Sequence, residues 1–213
     1  MGDEILVVAD RHPACRVLGP GTRYAVWVQG CPLSCRGCVS PQWIPFAGGS
    51  RIPVDDLATE IAATAADGLT VSGGEPFAQA AALVRLVSRI RGRRDLSVMA
   101  YTGYTLGFLT RHGSPAQRQL VRMLDLLVDG PYVEERHGDL RWRGSGNQRI
   151  HLLSRRHEAD LSGADHSAGL QFEITSDGDF HWMGVPPVPG FRGDLERALG
   201  LQQHARGEEV PAS

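Results

Sequence analysis

Gln29-Gly30-Cys31-Pro32-Leu33-Ser34-Cys35-Arg36-Gly37-Cys38 places three of the chain's four cysteines within eight residues, at the spacing C-x3-C-x2-C. Thiols this dense need a cation, a disulfide partner or burial, and short cysteine loops hold metal ions or iron–sulfur clusters. Three thiolates on a four-iron cube leave one iron without a protein ligand, and an open coordination position can take a substrate or cofactor. The competing reading is a structural zinc site, completed by a histidine or by the distant Cys15. No histidine lies in the loop, and zinc knuckles pair two ligand dyads rather than using a triplet. Cys15 itself reads as a small buried hydrophobe, with a fourth-ligand role as the alternative.

Working outward, Tyr24 to Val28 is rich in β-branched and aromatic residues and predicts a strand, so the cysteine loop leaves a strand's C-terminal end. Ligands of α/β folds sit at that end. Upstream, Glu4 to Ala9 predicts a strand and Gly19 to Thr22 a turn. Downstream, residues 40–51 read as loop, and a helix opens at Pro53 with Asp55 and Asp56 in its first turn. A buried strand Leu69–Ser72 runs into Gly73-Gly74-Glu75-Pro76, then come a helix Ala78–Arg91 and a strand Leu96–Tyr101 ending at Thr102. A helix from Ser114/Pro115 to Leu124 and a strand Leu126–Val128 ending at Asp129 follow. This alternation predicts βα units around a parallel sheet. Arg141 to Arg149 reads as a glycine- and arginine-rich loop, Ile150–Ser154 as a strand and 155–169 as polar loop. Gln171–Thr175 and Phe180–Met183 flank an Asp-Gly turn and predict a β-hairpin, followed by a short helix around 194–199. A chain of 213 residues supports one core, so a single domain over 1–200 is expected, with 201–213 a disordered polar tail.

The formal charge of −2 and the lack of a long basic run exclude electrostatic capture of nucleic acid as the main role. All 22 basic residues are arginine, which excludes Schiff-base and lysine general-base chemistry. The start lacks a secretory pattern, no apolar run approaches a membrane span, and Leu6 stands where a myristoylation signal wants Ser or Thr. The expectation is a cytoplasmic chain with neither membrane nor nucleic-acid partner, in which clustered cysteines are ligands rather than disulfides.

The cysteine loop after one strand, with Gly73-Gly74-Glu75-Pro76 after the next, resembles the radical S-adenosylmethionine (SAM) superfamily. The run Gly19-Pro20-Gly21-Thr22-Arg23 is similar to the Gly-Pro-Gly-x-Arg of glycyl-radical-enzyme activases. Cys35-Arg36-Gly37-Cys38, Tyr101-Thr102-Gly103-Tyr104, Val128 to Tyr132 and Arg143 to Arg149 resemble the anaerobic ribonucleoside-triphosphate reductase activating proteins. The resemblance spans about residues 14–153. It implies an α/β fold, an incomplete (β/α) barrel of radical SAM type with a C-terminal β-hairpin; an eight-unit barrel takes about 250 residues.

The same resemblance implies that Cys31, Cys35 and Cys38 ligate a 4Fe-4S cluster whose open iron takes SAM. Reductive cleavage then gives a 5′-deoxyadenosyl radical that installs a glycyl radical on a partner, most simply an anaerobic ribonucleotide reductase. A flavodoxin- or ferredoxin-type donor would supply the electron. Gly37 and Val39 would lie against the adenine, and Gly73, Gly74, Glu75 and Pro76 would hold the methionine end. Thr102 and Asp129 would contact the ribose or methionyl portion, though either could instead serve only a strand end or turn. Arg143, Asn147, Gln148 and Arg149 would form a lip over the barrel, with Asn147 and Gln148 bonding an inserted peptide; the alternative is a solvated loop. No catalytic side chain is expected beyond cluster and SAM. Pro131 departs from the family, which often carries Lys after the Asp-Gly pair. Two rival functions remain: radical modification of another peptide or small molecule, and a non-catalytic zinc or iron–sulfur module.

Overall fold

The computed structural model describes residues 4–174, 178 and 180–200. In chain order the strands and helices are β1 Ile5–Cys15, β2 Arg23–Val28, β3 Ser50–Pro53, α1 Val54–Ala62, β4 Gly68–Gly73, α2 Ala80–Arg91, β5 Ser97–Tyr101 and α3 Leu106–His112. They continue with α4 Pro115–Arg122, β6 Leu126–Asp129, β7 His137–Leu140, β8 Arg143–Ser145, β9 Arg149–Leu152, β10 Leu170–Ile174, β11 Phe180–Gly184 and α5 Phe191–Ala198. Seven strands form one mixed sheet in the order β3-β1-β2-β4-β5-β6-β9. The four central strands, β2, β4, β5 and β6, are parallel; β1 and β9 flank them antiparallel, and β3 pairs antiparallel with β1 at the outer edge. The parallel register brings Val28 beside Gly73 and Tyr101 beside Val128, so the four carboxyl ends share one sheet edge.

Helices α1 to α4 cover one face. Leu57 and Ile61 of α1, and Leu83, Leu86, Val87 and Ile90 of α2, are buried against Val26, Val71 and Leu127 of the sheet. Asp55 and Asp56 sit in the first turn of α1, where the positive end of the helix dipole favours them. A reciprocal pair of bonds between Ser114 and Gln117 starts α4. The other face buries Cys15, Ala25, Trp27 and Met183 in one cluster and Met99, Leu126, Val128 and Trp142 in another. β2 is buried along its whole length, as a strand covered on both faces must be.

One buried cation locks the amino ends of these strands. Arg23 is fully buried and donates to Thr70 Oγ1 (2.5 Å), Pro20 O (3.1 Å), Ser97 Oγ (2.8 Å), Leu69 O (2.7 Å) and Ser97 O (3.1 Å). All five guanidinium N–H groups are satisfied without an adjacent carboxylate. Burial lowers its pKa to about 10, so the group remains charged at neutral pH. Gly68 is required beside it, since a Cβ there would lie 2.4 Å from Arg23 Nη1.

Several elements differ from expectation. β1 continues through His12-Pro13 to Cys15, because beyond Val8 it pairs β2 alone and a free edge tolerates proline. Ser50–Pro53 is a short edge strand, although it begins within the Pro- and Gly-rich segment 40–51 that reads as loop. α3, capped by Thr105, buries only Leu109 and so carries little apolar periodicity. Part of the segment read as loop at 141–149 is the β7–β8 hairpin and the start of β9. The C-terminal strands pair as Phe172 with Trp182 and Ile174 with Phe180. The Asp-Gly turn lies outside the described residues except for Gly178, whose φ of +85° suits a hairpin turn. The expected tail at 201–213 also lies outside them.

Candidate functional site

The cysteine loop begins where β2 ends and is held at its base by backbone bonds. Gly30 N–H donates to Trp43 O and Cys31 N–H to Ile44 O, both at 2.9 Å. The Gln79 amide bridges Val7 and Gln29, fixing the loop's entry to β1. Three residues in the loop adopt left-handed backbone: Gly30 (φ +93°), Ser34 (φ +47°) and Gly37 (φ +67°). A Cβ on Gly37 would meet only the movable carboxyl end of Glu134, so it is the left-handed backbone that calls for glycine there. These reversals wind the loop tightly, leaving all three cysteines half-buried and unoxidised. Burial pushes the Cys38 thiol up, and the neighbouring Cys35 and Cys31 charges push it further. The Ser40 N–H lies 3.4 Å from Cys38 Sγ and favours the thiolate. Among the described residues, no three Cys, His, Asp or Glu side chains converge closely enough to grip a single metal ion.

Cys15 is not part of this loop. It pairs with Arg23 at the start of β2, whereas Cys31 follows the end of that strand. At about 3.3 Å per residue, the six-residue strand separates them by roughly 17 Å. Its side chain is buried beside Trp27 and Met183.

Gly73-Gly74-Glu75-Pro76 lies directly against the loop. Gly74 N–H donates to Val28 O (2.7 Å) and Glu75 N–H to Gly30 O (2.8 Å). A Cβ on Gly74 would stand 2.3 Å from Gly30 O, so only glycine permits the approach. Glu75 is almost wholly buried, and its carboxyl accepts from Phe77 N–H (2.9 Å), Thr102 Oγ1 (2.8 Å) and Gly103 N–H (2.8 Å). Burial raises its pKa to about 7 against those three donors. Thr102 Oγ1 also accepts from Tyr104 N–H at 3.1 Å. Glu75 and Thr102 thus join the carboxyl ends of β4 and β5, and both side chains are already engaged with the protein.

Asp129, at the end of β6, is buried and accepts from Leu106 N–H at 2.6 Å. Its other oxygen is 3.0 Å from His151 Nε2, a contact of ion-pair length without hydrogen-bond geometry. These residues, with Arg111, Asn147 and Arg149, line a cleft of about 660 Å³. Gln148 is folded inward: its oxygen accepts from Gly144 and Ser145 N–H, and its amide donates to Gly130 O. The Asn147 amide donates to Pro131 O at 2.7 Å, leaving buried Oδ1 without a partner among the described residues. Arg143 pairs with Asp165 and donates to Gln148 O. Of the four residues expected to form a lip, Arg149 alone is exposed and uncommitted to these internal bonds, while the other three shape the loop.

Gly37, Cys38 and Val39 line a second cleft, of about 410 Å³, together with Tyr132, His137 and Arg192. Tyr132 Oη meets His137 Nδ1 at 2.8 Å, and His137 Nε2 is buried without a partner among the described residues. This nitrogen can donate to or accept from a ligand, depending on the tautomer. The residues fit a cluster with a bound nucleoside-like cofactor on two counts. The donor set is three soft thiols on one loop, and beside Cys38 lies a cleft of mixed apolar and charged walls with one orphaned polar atom. His137 is suggested in sequence only by its position near the arginine-rich segment, and Arg192 by nothing, since it stands 153 residues from Val39.

Comparison with known proteins agrees with this geometry. The family model described as a 4Fe-4S single cluster domain matches residues 17–151. An anaerobic ribonucleoside-triphosphate reductase-activating protein from Vibrio cholerae is 35% identical over 153 residues, covering 67% of this chain and 96% of the relative. The Escherichia coli K12 protein of that name is 33% identical over 151 residues, covering 67% and 96%. One from Enterobacteria phage T4 is 28% identical over 145 residues, covering 65% and 89%.

Proposed function

We propose, from the premise that this chain belongs to the 4Fe-4S single cluster family that includes the anaerobic ribonucleoside-triphosphate reductase-activating proteins, that it is a radical SAM activase. Its activity is reductive cleavage of SAM to install a glycyl radical on a partner enzyme, an anaerobic ribonucleotide reductase. The observation that carries this reading is the apposition of the three-cysteine loop and Gly74, too close for any side chain between them. When bound, a 4Fe-4S cluster with SAM supplies one-electron chemistry able to remove a hydrogen atom from carbon.

The chain's own residues position and shelter that chemistry. Cys31, Cys35 and Cys38 would hold the cluster. Gly73 and Gly74 offer backbone uncluttered by side chains to the methionine end, while Glu75 and Thr102 hold that backbone in register from behind. Gly37, Val39, Tyr132 and His137 would line the adenosyl cleft. We read the sheet, with its helices on one face, as the wall of an incomplete (β/α) barrel whose mouth is the shared carboxyl edge. The Asp129 cleft, with exposed Arg149, is where a partner's peptide loop would enter. A small redox protein of flavodoxin or ferredoxin type would deliver the electron. No helix among the described residues is long and apolar enough to cross a membrane.

The test is anaerobic reconstitution of the full chain with iron and sulfide. A 4Fe-4S spectrum that changes when SAM is added is expected, then 5′-deoxyadenosine on addition of dithionite. A glycyl-radical doublet should appear in electron paramagnetic resonance (EPR) when an anaerobic ribonucleotide reductase is present. A chain that binds zinc through these cysteines and forms no 5′-deoxyadenosine would overturn the proposal.

A further inference from the structure

The C-terminal unit β10–β11–α5 lies beyond residues 17–151, the part matched by the family model, yet one of its side chains reaches the cysteine loop. The hairpin is fastened to β1 by its inward face. Gln171 accepts from Arg16 N–H (2.9 Å) and donates to Ala14 O (3.0 Å), Glu173 meets His12 at 2.7 Å, and Met183 is buried beside Cys15. Trp182, on the opposite face, packs edge-on against Phe191 at 5.6 Å and sets the start of α5. Arg192 then lies over the Trp182 ring, 4.8 Å from its centroid, and donates through Nε to Val39 O at 3.3 Å.

We propose that Arg192 is a positioning residue for the cysteine loop, holding the Val39 carbonyl and presenting a fixed positive charge across the cleft to Cys38. The inference rests on the activase reading above. Its rival is that Arg192 merely pairs with Glu196, one helical turn away at 3.2 Å. Such pairs stabilise an isolated helix only weakly and need no burial. Arg192 is instead only 27% exposed, stacked on an aromatic ring, and shares a cleft wall with Cys38. A cation near a cluster stabilises its reduced, more negative state. Arginine suits the place because a planar guanidinium can lie flat on a ring while its edge donates, a geometry an ammonium lacks.

The test is an EPR-monitored redox titration of the full-length, cluster-loaded protein without SAM. R192Q should take up the same iron as the wild type, with reduction disfavoured by roughly tenfold, a negative shift of about 59 mV for one electron. R192K keeps a charge and should shift by less than half as much. An unchanged potential in R192Q at full cluster occupancy overturns the proposal, as do equal shifts in R192Q and R192K. Should R192Q fail to fold, E196Q tests it with the sign reversed. Removing the neutralising carboxylate should move the potential positive, and no shift or a negative one overturns the inference. A wild-type chain that never forms a 4Fe-4S cluster defeats the activase reading itself; a normal wild type with an indifferent R192Q defeats only the role of Arg192.

Discussion

Replacing Glu75 by glutamine should alter how stability depends on pH more than stability at any one pH. In the folded chain burial holds this carboxyl's pKa at about 7, against an ordinary value of 4.5. Below pH 4.5 both folded and unfolded chains carry its proton. Between 4.5 and 7 the folded chain keeps a proton that the unfolded chain has lost, so stability falls as pH rises, levelling off above 7. Integrating the two titrations from pH 5 to 8 gives a loss of about 2.5 kcal/mol attributable to this one group. Glutamine does not titrate. E75Q also turns an amide NH2 toward either Gly103 N–H or the donors on the other oxygen, a mismatch costing about 1–3 kcal/mol. The assay is urea unfolding of the cofactor-free wild type and E75Q at half-unit steps from pH 5 to 8. The quantity of interest is the difference in unfolding free energy between them, in which other titrating groups cancel. That difference should fall by about 2.5 kcal/mol across the range and flatten near its upper end. A difference that stays constant, or that rises with pH, would refute the argument. It would mean that the three donors outweigh desolvation and that Glu75 is an ordinary ionised carboxylate.

Alanine at Cys31, Cys35 or Cys38 should each abolish stable 4Fe-4S incorporation, measured by iron and sulfide analysis. C15A should leave the iron content unchanged and cost only about 1 kcal/mol in urea unfolding, the scale of a small core truncation. R23K offers three donors where five hydrogen bonds now exist, leaving at least two buried acceptors bare. It should destabilise the chain by about 2–6 kcal/mol, and a change below about 0.5 kcal/mol, the usual range for surface positions, would contradict the account of Arg23. G74A should push Gly30 and the cysteine loop away from β4, costing about 1–3 kcal/mol and weakening SAM binding to the loaded protein in a calorimetric titration.

The local chemistry was legible in the residues themselves. A C-x3-C-x2-C loop after a strand, and Gly73-Gly74 after the next, mark three candidate thiol donors and the close backbone approach because spacing and the absence of a Cβ are properties of the chain alone. The apolar faces of α1 and α2 were equally plain from their periodicity. Other elements were hidden because their signal is not local. β3 is a strand only because β1 offers it an edge, and β1 accepts Pro13 because no strand among the described residues pairs its outer side there. α3 buries a single leucine and leaves no period to read.

What sequence alone determined, then, is the donor set, the glycines that let backbone approach backbone, and the order of strand and helix. The tertiary structure decided which side chains remain free to act. Glu75, Thr102 and Gln148 are engaged by donors and acceptors from other elements, while His137 keeps a nitrogen to spare and Arg192 crosses from residue 192 to residue 39. Hydrogen-bond satisfaction and burial depend on what folding brings within about 3 Å, and no pattern along the chain encodes a contact between segments so far apart in it.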